Sequence, residues 1–390
     1  MQPFDFEKPS FPGAPPQPPL AIDLTPVAAA VVEEHRASAC ASVAAAALTA
    51  DGWRFGAGAY GKLWFGEEAP PASTTTVFDL ASVTKPVTAL AMARLERAGK
   101  LGRDEALADI LPDLGASLSA RVPLDLFAAH RAGLDGHRPL YAPLVEGRDV
   151  DPQGALRTAA DARRPDCQGH PPAEGFAPVY SDLGYLLIGA AIAARGGAEL
   201  DQVFEREVTG PLGLGIASAR RFREIDASFD ARVAPTEVVP WRGGVVRGAV
   251  HDENAWALVG SASAGHAGLF GDALSVVRLG IAILEALEGR TPSWLGPADL
   301  EPLVRRRSGG SLLAGFDSRS GDHPSSGSRF GSRTFGHLGF TGTSLWMDPD
   351  ARLVGVLLTN RVHPTRAAAP EAIRRARPAT YDAIVAAMTR

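Results

Sequence analysis

Residues 76–100, TVFDLASVTKPVTALAMARLERAGK, constrain the chain more than any other stretch, because they put a serine and a lysine at the start of one helix. Thr76 to Leu80 reads as the end of a short strand. From Val83 onward Val87, Leu90, Ala91 and Leu95 recur at helical spacing, and Gly99 stops the pattern. Ser82 and Lys85 therefore share a helix face, near enough for the amine to exchange a proton with the hydroxyl. A hydroxyl is a weak nucleophile at neutral pH, and a lysine held in a desolvated pocket near other donors can be neutral enough to take its proton. The same four letters also fit a serine cap followed by a surface lysine. The remainder of the chain has to decide between them.

The order of elements narrows the fold. Leu24 to Glu34 reads as a first helix with Asp23 or Thr25 as its cap. Ala41 to Ala50 and Trp53 to Gly58 flank an Asp51-Gly52 turn signal and predict a hairpin, although the alanine-rich first arm also permits a helix. Further helices are expected at Pro123 to His130, Tyr185 to Ala194, Leu200 to Val208 and Leu274 to Leu287, the last capped by Asp272. Between them, 135–175 and 215–270 are rich in glycine and turns, and 317–333, DSRSGDHPSSGSRFGSR, has the composition of a mobile surface loop. Thr343 to Met347 and Leu353 to Thr359 predict a second hairpin, and Tyr381 to Met388 a closing helix. Strands at both ends with helices between predict an α+β fold, an antiparallel sheet built from both chain ends. Its divisions are a proline-rich extension at 1–22, a sheet domain from 23–80 and 270–390, and a mostly helical inserted lobe at 81–269. Sites are then expected in the seam.

Bulk properties exclude several classes. A net charge of −5 and no basic run interleaved with aromatics argue against nucleic acid as a partner, and Arg305 to Arg307 reads as a solvated face or loop. No uncharged apolar run approaches the ~18 residues of a membrane span. Cys40 and Cys167 sit in no C-x-x-C and are expected to be buried, incidental thiols. The N-terminus, MQPFDFEKPSFPGAPPQPP, has no basic region followed by an apolar core, so the expected compartment is cytoplasmic as written, or periplasmic or extracellular if a leader has been trimmed. The sequence carries no expectation for oligomeric state.

Two more constellations follow the Ser82 helix. In PVYSDLGYLLIGA, Tyr180 and Asp182 immediately precede a buried helix; a tyrosine whose pKa is lowered by a lysine ammonium can relay protons, while a packed aromatic and a helix cap fit as well. In RTFGHLGFTGTSLWMDP, His337 enters a strand, and Gly339 and Gly342 let the backbone approach a ligand closely. An edge strand there can offer one N–H to an oxyanion, with the second from Ser82. His130 is expected to be structural. His251, Asp252, Glu253, His266 and Asp272 lack the spacing of metal ligands, and no G-x-S-x-G or phosphate-loop pattern is present.

SVTK at 82–85, YSD at 180–182 and HLG at 337–339 stand in the order and approximate separation of the three motifs of the serine β-lactamase and penicillin-binding protein superfamily. The flanks FDLASVTKPVTA, LDLFAAHRAGL, GHAGLFGDA and GFTGTSLWMDP resemble the branch with class C β-lactamases, D-alanyl-D-alanine carboxypeptidases and related esterases. The resemblance implies a β-lactamase/transpeptidase-like fold and a serine hydrolase without cofactor or metal, acting on a small-molecule or peptide substrate. It implies Ser82 as acylated nucleophile, Lys85 as base, Tyr180 as proton shuttle, the Ser82 and Phe340 N–H groups as oxyanion hole, and Asp182, His337 and Gly339 as substrate-binding positions. Asp182 replaces the usual asparagine, and its negative charge would favour the protonated forms of Lys85 and Tyr180; His337 replaces the usual lysine. Both changes disfavour an anionic substrate, and so point to an esterase or peptidase before a true β-lactamase or carboxypeptidase. A catalytically inactive binding protein on the same fold is the third alternative.

Overall fold

The computed structural model describes residues 18–291, 293–368 and 370–389. Its strands in chain order are β1 Leu20–Asp23, β2 Cys40–Thr49, β3 Gly52–Gly61, β4 Phe78–Asp79, β5 Ile216–Ser218, β6 Val238–Val239, β7 Gly244–Val245, β8 Leu269–Gly271, β9 Asp317–Ser318, β10 Phe335–Leu338, β11 Ser344–Asp348 and β12 Leu353–Thr359. Seven of them form one sheet in the order β1-β3-β2-β12-β11-β10-β9. It is antiparallel except where β1 joins β3. The two ends of the chain therefore meet where β2 pairs with β12, Ala44 opposite Val356 and Ala46 opposite Val354. A smaller sheet, β4-β8-β5, carries the approach to Ser82, and β6 pairs with β7 alone.

Ladders on both sides of β2 decide the alanine-rich arm in favour of a strand, paired with β3 from Thr49 opposite Gly52 to Cys40 opposite Gly61. Its small side chains suit a strand covered on both faces. Ala41, Val43 and Ala45 join a core with the helices Thr25–Glu33 and Pro370–Met388, whereas Cys40, Ala44 and Ala46 join the larger core that contains the helix Ala273–Leu287 and the lobe. The alternation continues in β12, where Leu353 and Leu357 face the first core and Val354, Val356 and Leu358 the second. Terminal helices thus cover one face of the sheet.

Three expectations are corrected. The closing helix runs Pro370–Met388, through Pro378 rather than from beyond it. Ala372, Ile373, Ala376, Thr380, Tyr381, Ile384 and Met388 form one buried face across the proline, and this packing outweighs the ~3 kcal/mol that an internal proline costs. The 317–333 segment is not a free loop. Asp317–Ser318 pairs with β10, Phe330 is buried, and the Asp382 carboxylate accepts the N–H groups of Ser328 and Arg329 at 2.7 and 2.9 Å. The helix expected at Leu200 to Val208 is α-helical only over Leu200–Phe204 and widens to a π-turn at Glu205–Thr209. Residues 1–17 of the proline-rich extension lie outside the described residues. Cys40 and Cys167 are free and buried.

Close approach of the helix Ala273–Leu287 to β12 depends on Gly280, where a Cβ would lie 2.5 Å from Cγ1 of the buried, β-branched Val354. Helix propensity alone predicts that Gly280→Ala stabilises by up to about 1 kcal/mol. The contact predicts the opposite sign, a loss of about 1–3 kcal/mol in denaturant unfolding, as overpacked cores show; a gain would contradict this packing.

Candidate active site

Ser82 lies in a 3-10 turn, Ala81–Val83, which leads directly into the helix Thr84–Arg97. The turn is held open at its start. Ala81 has a left-handed φ of 48°, and its N–H is donated to the buried Asp79 carboxylate at 2.8 Å. The other Asp79 oxygen accepts the His251 N–H at 2.7 Å. Strain of this kind is stored where the surroundings over-determine the backbone, often at functional sites.

Lys85 lies beneath Ser82 with no side-chain exposure, and its ammonium meets three acceptors. Nζ donates to Ser82 Oγ at 2.9 Å, to Asp182 Oδ1 at 2.7 Å and to the His266 carbonyl at 3.3 Å. Three donors on three acceptors is the complement of a charged amine. Burial alone would push the Lys85 pKa down, but the Asp182 carboxylate, with help from Tyr180, reverses the sign, and the net shift is upward. The carboxylate at Asp182 thus favours the protonated lysine, as its replacement of asparagine implies, and in the resting site Lys85 is an ammonium.

Asp182 is available for this pairing because it is not the helix cap. Ser181 caps the helix Asp182–Gly196, its Oγ accepting the Gly184 N–H at 3.3 Å. Tyr180, just upstream, has its hydroxyl toward Lys85 and Ser82, and its ring lies 4.8 Å from Lys85 Nζ. Its pKa moves upward, the direction that the charge at Asp182 favours. Burial raises it and Asp182 adds to the rise, against the lowering by Lys85, so the phenol keeps its proton.

His130 holds this tyrosine from behind. Its ring stacks on Tyr180 at 4.8 Å, its Nδ1 accepts the Ser181 N–H at 3.0 Å and its carbonyl accepts the Val179 N–H at 3.1 Å. Burial, with the Lys85 charge, holds the ring neutral. The sequence marked His130 as structural; what it supports, the Tyr180 loop, emerges only from the fold. His337 is likewise neutral, pushed down to about 3 by burial and by Lys85, with Nδ1–H donated to the Leu338 carbonyl at 2.7 Å.

Ser82, Tyr180, Asp182, His337, Gly339 and Phe340 all line one cavity of about 690 Å³, with Lys85 under its floor. Three segments distant in sequence therefore meet. Four arginines that the sequence reading passed over, Arg361, Arg366, Arg374 and Arg377, line the same cavity. His137 and His251 also line this cavity. His251 meets Glu237 at 3.0 Å and stacks on Phe340, His266 pairs with Asp252 at 2.9 Å, and Asp272 caps the helix Ala273–Leu287. Among the described residues no cluster of three or more His, Cys, Asp or Glu could hold a metal ion, and no single helix is long and apolar enough to cross a membrane.

The beta-lactamase family model matches residues 28–379. The chain belongs to the beta-lactamase family. Within this family of serine β-lactamases and penicillin-binding proteins it is similar to a putative D-alanyl-D-alanine carboxypeptidase of Escherichia coli (strain K12), 28% identical over 321 residues that cover 76% of this chain and 72% of the relative. An N-acetylmuramyl-L-alanine amidase of Bacillus subtilis (strain 168) is 29% identical over 320 residues, covering 74% and 69%. Among solved structures, the hydrolase EstCE1, described as having promiscuous acyltransferase activity, superimposes with a TM-score of 0.66 at 23% identity over 92% of this chain and 97% of its own. A penicillin-binding protein homologue from Caulobacter crescentus gives 0.63 at 21%, over 94% and 99%. These likenesses show the β-lactamase/transpeptidase-like fold that the motifs implied.

The buried pair gives a titration. Lys85 is raised in the folded protein, so its stabilising contribution is complete below the ordinary value of 10.5 and is lost as pH rises through the folded value. Asp182→Asn removes the largest raising cause and leaves burial to act. Followed through the Lys85 side-chain carbon shift by NMR, the Lys85 pKa falls in the variant; a pKa that stays put would refute the pairing.

Proposed function

We propose that this beta-lactamase-family protein is a serine hydrolase that cleaves an ester or amide through an acyl-enzyme on Ser82, with esterase or peptidase-like specificity for a small-molecule or peptide substrate. The observation that carries the reading is the 2.9 Å contact between Lys85 Nζ and Ser82 Oγ at the floor of the cavity, within the reach that a nucleophile and its base require. The same contact weighs against an inactive binding protein, for which base and nucleophile would drift apart.

In the reactive form Lys85 is neutral. It takes the Ser82 proton as Oγ attacks the carbonyl carbon, and the N–H groups of Ser82 and Phe340 receive the oxyanion. Support for the second donor is that the Phe340 N–H reaches no protein acceptor among the described residues while Phe340 and Gly339 line the cavity. Tyr180 then gives its proton to the leaving group and is reprotonated by Lys85. Water enters by the reverse path, attacking the acyl carbon while its proton returns to Ser82.

A second reading, a carboxypeptidase acting on an anionic substrate, is favoured by the four cavity arginines. Arg366 and Arg374 are paired with carboxylates, but Arg361 and Arg377 meet none among the described residues and supply positive charge that the neutral His337 lacks, which removes one of the sequence-based arguments against such a substrate.

A short-chain ester tests the first reading. Wild type turns it over, Ser82→Ala lowers kcat by about 10⁴-fold or more, and equal rates in both would end the proposal. Because the resting lysine is charged, kcat/KM rises with pH toward the alkaline side, and Asp182→Asn moves that rise to lower pH. A rate independent of pH from 6 to 10 would show that Lys85 is not the base. A penicilloyl adduct seen by intact mass would favour the second reading.

A further inference from the structure

Arg377 projects from the helix Pro370–Met388 to the cavity wall, and its hydrogen bonds go to main-chain carbonyls. Nη2 donates to the Gly339 carbonyl at 2.8 Å and to the Thr343 carbonyl at 3.1 Å. These two oxygens belong to one tight turn. The Gly339 N–H is donated to the Thr343 carbonyl at 2.7 Å, and the Gly342 N–H to the Gly339 carbonyl at 3.1 Å. The turn is seated on the nucleophile segment, because Thr343 Oγ1 donates to the Leu80 carbonyl at 2.9 Å. A Cβ at position 339 would lie 2.6 Å from that Leu80 oxygen and 1.9 Å from Thr343 Oγ1, so only glycine fits there.

The Gly339 carbonyl and the Phe340 N–H are the two ends of one planar amide. A cation bonded to the oxygen polarises the amide and makes the N–H at its other end a stronger donor. We infer that Arg377 is a positioning residue for the oxyanion site, orienting and polarising the Gly339–Phe340 peptide so that its N–H is aimed at the developing negative charge. The inference rests on the reading of Phe340 as an oxyanion donor.

The charge pattern of the wall supports it. Arg366 pairs with Glu237 and Glu253, and Arg374 with Glu371, but among the described residues Arg377 has no carboxylate partner. Its Nε–H is buried without an acceptor among the described residues. Burial pushes its pKa down to about 10, which leaves it a cation at neutral pH. An uncompensated, largely buried cation is costly. The negative charge that appears on the substrate oxygen during acylation relieves that cost, and a preorganised charge of this kind stabilises a transition state more than a ground state.

The test compares an uncharged short-chain oxo-ester with its thiono counterpart, whose developing charge sits on the larger, weaker acceptor sulfur. In Arg377→Met, kcat on the oxo-ester falls by about tenfold, less than the ~10²–10³ of removing an oxyanion donor outright, while KM moves by less than about twofold. The thiono-ester loses less, so the ratio of oxo to thiono rates shrinks, and Arg377→Lys, which keeps a cation, recovers part of it. General loosening of the site lowers both rates in parallel, and a direct substrate contact raises KM alone; either result overturns the inference. Should Arg377→Met fail to fold by circular dichroism, the ratio in Arg377→Lys lies between one and the wild-type value, and an unchanged ratio there overturns the inference. A fluorophosphonate adduct mapped to wild-type Ser82 separates the two levels. Its absence overturns the parent reading together with this one, whereas its presence with an unchanged ratio overturns this one alone.

Discussion

The buried ion pair between Lys85 and Asp182 is the constraint on which the arrangement of the cavity depends. A lysine ammonium without solvent must find acceptors for all its protons, and here they come from three separate parts of the chain: Ser82 one turn away, Asp182 at the start of a distant helix, and the carbonyl of His266 in a turn before β8. Satisfying one charge therefore docks three segments. Removing either partner of such a pair strands the other, at about 3–5 kcal/mol where burial is complete. The partial exposure of Asp182 on the cavity side reduces that figure, and leaves its carboxylate facing the cavity.

Around this pair the scaffold is stiff where placement matters. The seven-stranded sheet is covered on both faces, and its small β2 residues allow helices to sit close on each side. Asp79 joins the strained Ala81 turn to the His251 segment, while Thr343 and Gly339 seat the strand-end turn on Leu80. Ser82 and the Phe340 N–H, which meets no acceptor among the described residues, are thus held from outside the cavity by Asp79 and Thr343. His130 does the same for the Tyr180 loop, and its neutral ring avoids placing a second cation beside Lys85.

Much of this was legible in the sequence, and the failures have physical causes. Hairpins announce themselves through local signals, Asp51-Gly52 in one and the polar turn before Leu353 in the other, so both were readable. The closing helix was misjudged because a local rule, proline as a breaker, lost to a buried face that only tertiary packing supplies. The 317–333 composition suggested a mobile loop, but Asp382, far along the chain, fastens it. In the site, the three motifs identified the residues that share the cavity. The protonated forms of Lys85 and Tyr180 were readable from Asp182 standing where asparagine is usual, whereas the contact that produces them, the carboxylate on the buried ammonium, emerges only from the fold. The cavity arginines escaped notice because four of them scattered over 361–377 look like ordinary surface charge until the fold gathers them.

The most direct measurement is peptide mapping by tandem mass spectrometry after reaction with a fluorophosphonate, for the wild type and for Lys85→Met. The account predicts a single adduct on the peptide containing Ser82 in the wild type, and labelling slowed by about 10²-fold or more when the base is removed. An adduct on another serine, or labelling of Ser82 at the same rate without Lys85, would contradict it.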